Sequence, residues 1–97
     1  MSHTNTVDIL LEKSRDFLVP LRMGKGFSEE NFDAFCLAIK EFGREWGGKD
    51  VIPKSAANLF IDAYTAMVGC SHLYPSQIAY IEQRADFMND LIRNCCV

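Results

Sequence analysis

Apolar residues recur along this chain at intervals of three and four, and there is little sign of the two-residue alternation that marks a half-buried strand. Val7, Leu10, Leu11, Phe17, Leu18 and Leu21 form the first stripe, with Ser14 falling inside it. Thr4 or Thr6 can cap this helix. Pro20 disfavours helical geometry at Val19, so the helix is expected to end or kink there, ahead of the loop Met23-Gly24-Lys25-Gly26. The second stripe, Phe32, Phe35, Cys36, Ile39, Phe42 and Trp46, has the clearest start in the chain. Ser28 is placed as N-cap, Glu29 and Glu30 sit beside the positive end of the helix dipole, and Phe27 and Phe32 are spaced as a hydrophobic staple. Gly47-Gly48 stops it.

In the third segment Ala56, Leu59, Phe60, Ala63, Met67 and Cys70 share a face, with Pro53 in the first turn or Ser55 as cap. The connection Ser71-His72-Leu73-Tyr74 leads through Pro75 or Ser76 to Ile78, Ile81, Ala85, Met88, Ile92 and Cys95. The spacing therefore predicts an all-α, single-domain bundle over residues 1–97, with four main helices near 6–22, 28–46, 53–70 and 75–94. Short connections favour antiparallel neighbours. Phe35, Ile39, Leu59, Phe60, Ala63, Ile81 and Met88 are expected in its core.

Charge changes this picture in two places. Between Ser55 and Ile81 Asp62 is the single charged side chain, although 24% of the chain is Asp, Glu, Lys or Arg. Such a segment is either the central buried helix of the bundle or a face used against a partner, and the third helix is expected to be the most buried. Asp62 either marks the solvent side of that helix, the preferred reading, or is a buried acceptor. The second place is a set of carboxylate rows: Asp8, Glu12 and Asp16 on the first helix, Glu82, Asp86 and Asp90 on the last, and Glu29, Asp33, Glu41 and Glu45 on the second with Leu37 between. Like charges four apart oppose helix formation by roughly 0.2–0.5 kcal/mol per pair, so local stability does not explain three such rows. They are either solvated faces partly neutralised by Lys13, Arg15, Lys40, Arg44, Arg84 and Arg93, or a docking surface for a basic partner. Tyr64, Tyr74 and Tyr80 would anchor such a surface, because aromatics bring rigid area and a polar tip; Trp46 fits the edge of the core better.

The remaining features mainly exclude. Net charge is −3 over 97 residues, which argues against a surface built for phosphate backbones; 48% hydrophobic content is that of a globular chain. The polar start, Met1 to Asp8, has no signal-peptide character, and no run approaches a membrane span, so a cytoplasmic protein is expected. Cys36, Cys70, Cys95 and Cys96 lack paired spacing and read as reduced thiols, the last two the more reactive. Gly24-Lys25-Gly26 lacks the spacing of a phosphate loop, and Cys70-x-His72 is at best one ligand pair where structural zinc wants two. The bundle also lacks the Glu-x-x-His pairs of a di-iron site, and Glu82, Asp86 and Asp90 would repel DNA from a recognition helix at Gln83 and Arg84. No catalytic residue, metal or cofactor is expected.

In size, acidity and helicity the chain resembles the immunity and antitoxin proteins that neutralise basic toxin nucleases, a likeness of general character that carries over no residue. It implies a small inhibitor that binds another protein, with a basic partner and no direct contact to nucleic acid. The alternative is a self-associating regulator or adaptor whose charge-poor third helix forms a homodimer seam.

Overall fold

The computed structural model describes residues 6–95, the last by its backbone alone, as four helices. They are α1 (Thr6–Arg22), α2 (Glu29–Trp46), α3 (Lys54–Gly69) and α4 (Ile78–Cys95), with two short 3₁₀ turns, Ser71–Leu73 and Pro75–Gln77, between the last two. No strand occurs among the described residues. The chain is an all-α four-helix bundle.

Helix α1 keeps the expected span and runs through Pro20 to Arg22 without ending at Val19. Proline lacks the N–H that would close the bond to the residue four back, which frees the carbonyl of Asp16. The Asn31 side-chain amide donates to that carbonyl at 3.2 Å, so α2 supplies what α1 lacks. The helix then closes in a Schellman turn: Lys25 N–H bonds to the Pro20 carbonyl at 2.9 Å and Gly24 N–H to the Leu21 carbonyl at 3.2 Å, with Gly24 at φ +75°. Only a residue without Cβ adopts that angle freely.

Ser28 caps α2 as expected, its hydroxyl accepting from Asn31 N–H at 3.1 Å. Pro53 occupies the N-cap of α3 without a side-chain bond, so Ser55 is not the cap; Thr6 is the first residue of α1, and Thr4 lies outside the described residues.

Around the bundle the order is α1, α2, α4, α3: α1 touches α2 and α3, α4 touches α2 and α3, and the diagonal pairs share no backbone contact. Consecutive helices reverse direction, as the pairing of Thr6 with Glu45 and of Asn31 with Asp16 shows for α1 and α2. Because the α2–α3 connection crosses the diagonal, the other neighbours run parallel. Arg84 meets Glu29 and Asp33 near the start of α2, while Leu91 and Asn94 share a groove with Lys40, Gly43 and Arg44 near its end.

The core is aromatic at its centre. Phe17 lies edge-on to Phe27 and Phe32 at 5.1 and 5.2 Å between ring centroids, and Phe42 reaches across the diagonal to Phe60 at 5.4 Å. Edge-to-face contacts of this kind add roughly 0.5–1.5 kcal/mol beyond the area they bury. Phe35, Ile39, Phe60, Ala63, Ile81 and Met88 are buried as expected, while Leu59 is half-buried. The expectation that α3 is the most buried helix is corrected: α2 contributes Phe32, Phe35, Cys36, Ala38, Ile39 and Phe42 to the core, whereas α3 contributes Ala56, Phe60, Ala63 and Met67. Lack of charge on α3 reflects uncharged polar residues such as Asn58 and Thr65, which face solvent as readily as charged ones.

Candidate functional site

The acidic rows lie on different sides of the molecule. Glu82, Asp86 and Asp90 are exposed along α4, and Asp8, Glu12 and Asp16 are exposed along α1, the helix diagonally opposite. Arg93 stands 3.9 Å from Asp90, both well exposed, so that pair contributes little.

The third row does not hold together as one face. A four-residue step overshoots the 3.6-residue turn by about 40°, so five positions from Glu29 to Glu45 wind roughly 160° around α2. Glu29 and Asp33 face α4, where Arg84 approaches them at 3.2 and 3.5 Å; Glu45 faces α1 and accepts from the Thr6 hydroxyl; Glu41 pairs with Arg44 along α2.

Of the tyrosines proposed as anchors, Tyr64 is half-buried on α3 and donates its hydroxyl to Asp86 of α4 at 3.1 Å. That hydrogen bond, with the Asp86 charge behind it, pushes the phenol above its ordinary pKa. The bond joins the charge-poor helix to the acidic row. Ile61, three residues before Tyr64 on the same flank of α3, is 69% exposed. The face between α3 and α4 therefore combines an aliphatic and an aromatic group with an acidic edge.

Tyr74 has a different setting. Its hydroxyl donates to the Leu21 carbonyl at 2.7 Å and accepts from Gly26 N–H at 3.0 Å, so its polar tip is committed to the α1–α2 loop. Tyr80 is exposed and lies edge-on to Phe27 at 5.5 Å. Trp46 stacks on Phe42 at 6.0 Å with the Lys49 ammonium 4.5 Å from its ring, at the core edge where the sequence put it. Asp62 is exposed, as preferred, and shares a shallow concavity with Arg22, Thr65 and Ala66.

Arg84, expected as a partial counter-charge to the acidic rows, meets two of those carboxylates and has a packing role beyond that expectation. Its guanidinium lies 4.7 Å from the Phe32 ring, 5.6 Å from Phe87 and 5.8 Å from Tyr80, besides approaching Glu29 and Asp33. Its Nε is buried with no hydrogen-bond partner. A planar cation over rings and between carboxylates ties α4 to α2. The signal was available: Tyr80 and Phe87 stand four before and three after Arg84, which puts all three on one side of the helix.

The two described thiols, Cys36 and Cys70, are both buried. Cys36 is 5% exposed, and burial pushes it up to about 11 despite the partial offset from Arg84. Cys70 is likewise raised by burial and donates to the Met67 carbonyl at 3.5 Å, while His72 Nδ1 is 2.9 Å from the Gly69 carbonyl. Each side chain is engaged by a backbone carbonyl three residues back. No group of three His, Cys, Asp or Glu among the described residues is arranged to hold a metal ion, and no helix there is long and apolar enough to cross a membrane. Cys96 and the Cys95 side chain lie outside the described residues.

Comparison with protein-family models, curated proteins and solved structures returned no match.

Proposed function

We propose that this chain acts in the cytoplasm by binding rather than catalysis, as an inhibitor of the immunity or antitoxin type that docks on a basic enzyme such as a toxin nuclease and holds it inactive. The observation that carries the reading is the Tyr64–Asp86 hydrogen bond, which brings Ile61 and Tyr64 alongside Glu82, Asp86 and Asp90 on one face. An apolar centre with a charged edge matches how protein interfaces divide their work: aromatic area for affinity, rim charge for steering. The exposed row on α1 lies on the helix diagonally opposite α4, so a partner seated on α3 and α4 does not cover it.

The test begins with capture of partners from the native host and continues with association kinetics of the purified pair. Reversing Glu82, Asp86 and Asp90 together to Lys is expected to lower the on-rate by roughly tenfold or more at low salt, with unchanged far-UV circular dichroism. Reversal of Asp8, Glu12 and Asp16 is expected to leave it near wild type. Wild-type kinetics in both triple variants would remove the acidic rows from the interface and sink the reading.

A further inference from the structure

The side of α2 that faces away from α1 carries a sequence of charges with a definite sense. Glu29, Asp33, Leu37, Lys40 and Arg44 follow one another at steps of three and four, so they line a single stripe whose first half is acidic, whose second half is basic, and whose middle is a leucine. Leu37 is 56% exposed, and Phe87, one turn along α4 from Arg84 as Leu37 is one turn along α2 from Asp33, is 45% exposed. Two large exposed apolar groups thus sit near the midpoints of two neighbouring, parallel helices. Single exposed apolar residues are ordinary, but one at the centre of a charge-segregated stripe, with another at the middle of the adjoining helix, makes a patch with a rim.

We propose that this face is a self-association surface on which a second copy of the chain packs with its α2 antiparallel to the first. A twofold axis lying in the interface, across the helices, places α2 on α2 and α4 on α4 in opposite directions. Leu37 then meets the partner's Leu37 and Phe87 the partner's Phe87. Each copy's Glu29 and Asp33 face Lys40 and Arg44 of the other, at both ends at once. The parallel alternative sets acid against acid and base against base along α2, and is rejected by the same charges. The internal contacts are compatible with this: Arg84 holds Glu29 and Asp33 from the α4 side, and Glu41 holds Arg44 from along the helix, while Asp33 and Arg44 keep 71% and 72% of their side chains exposed. A contact of standard size takes about 800 Å² from each partner, roughly one-eighth of the 6029 Å² surface of this chain, and two adjacent 18-residue helices provide such a face. The surface is separate from the α3–α4 face, so a copy docked here leaves Tyr64 and Asp86 accessible.

The test is sedimentation equilibrium of the purified full chain from low micromolar to millimolar concentration, in low and high salt. Wild type is expected to dimerise and to weaken as salt rises. Leu37→Asp is expected to be monomeric over the same range with unchanged circular dichroism, since it replaces an exposed residue. The decisive arm is a charge exchange: one variant carries Glu29→Lys and Asp33→Lys, a second carries Lys40→Glu and Arg44→Glu. Each alone is expected to stay monomeric, and an equimolar mixture is expected to form a heterodimer. Rescue on mixing also establishes that both variants fold. A wild type that is monomeric to millimolar concentration overturns the proposal, as does a Leu37→Asp variant that dimerises like wild type. Lack of heterodimer from the mixture removes the antiparallel arrangement.

Discussion

Cys36 gives the residue scale its clearest pH dependence. The folded chain holds this thiol's proton up to about 11, against 9.0 for an unconstrained cysteine, because burial disfavours the thiolate. The folded pKa is raised, so the contribution is fully present below pH 9.0, declines between the two values as the unfolded chain releases a proton the folded chain keeps, and is gone above about 11. Denaturant unfolding is therefore expected to lose free energy steadily across that window. Cys70 and Tyr64 are shifted in the same direction and add to the slope. Cys36→Ala, though less stable at neutral pH through lost packing, is expected to decline less steeply; equal slopes in the two proteins would refute the assignment. The sequence placed Cys36 in the apolar stripe of α2, which already implied an inert thiol. What it could not supply was Arg84 across the helix pair, which tempers the shift.

At the scale of the element, the helices were legible because their signals are local. The expected spans 6–22, 28–46 and 53–70 differ from the observed ones by a residue at most at either end, and the fourth by three at its start, where a 3₁₀ turn over Pro75–Gln77 precedes the α-helix. Ser28→Ala is expected to cost about 1 kcal/mol by removing the acceptor of Asn31 N–H. Gly24→Ala is expected to cost roughly 1–2 kcal/mol, because φ +75° is strained for any residue with a Cβ. Urea unfolding measures both, and a neutral Gly24→Ala would mean the Schellman turn is not needed. Two readings were incomplete for non-local reasons. Pro20 was read as an end or a kink within the expected 6–22 span, and the carbonyl it frees is met by Asn31, eleven residues further on in another helix. The third helix was read as the central one from its missing charges, but burial is decided by which side faces the neighbours, and Ile61 and Thr65 face outward.

For the molecule as a whole, the sequence showed four stripes and three acidic rows without saying how the rows are arranged around the bundle. That depends on the α2–α3 connection crossing the diagonal, which sets the α1 row apart from the α4 row and makes α2 and α4 parallel neighbours. The diagonal crossing also divides the chain into two helical hairpins, α1 with α2 and α3 with α4, held face to face. Tyr74 belongs to one hairpin and the Gly26 amide to the other, 48 residues apart in sequence. An amide in a glycine loop at the surface ordinarily trades its hydrogen with water almost as fast as an unfolded chain does; this one is covered only while the hairpins are together. Gly26 is accordingly a built-in gauge of assembly: in deuterium exchange followed by NMR it is expected to exchange slowly, at a rate set by separation of the two halves rather than by fraying of either. Tyr74→Phe should free that single amide while leaving the helix interiors protected. If the halves part more readily than the helices melt, Gly26 will report it first, and the bundle is then better described as two hairpins in reversible union than as four helices that stand or fall as one.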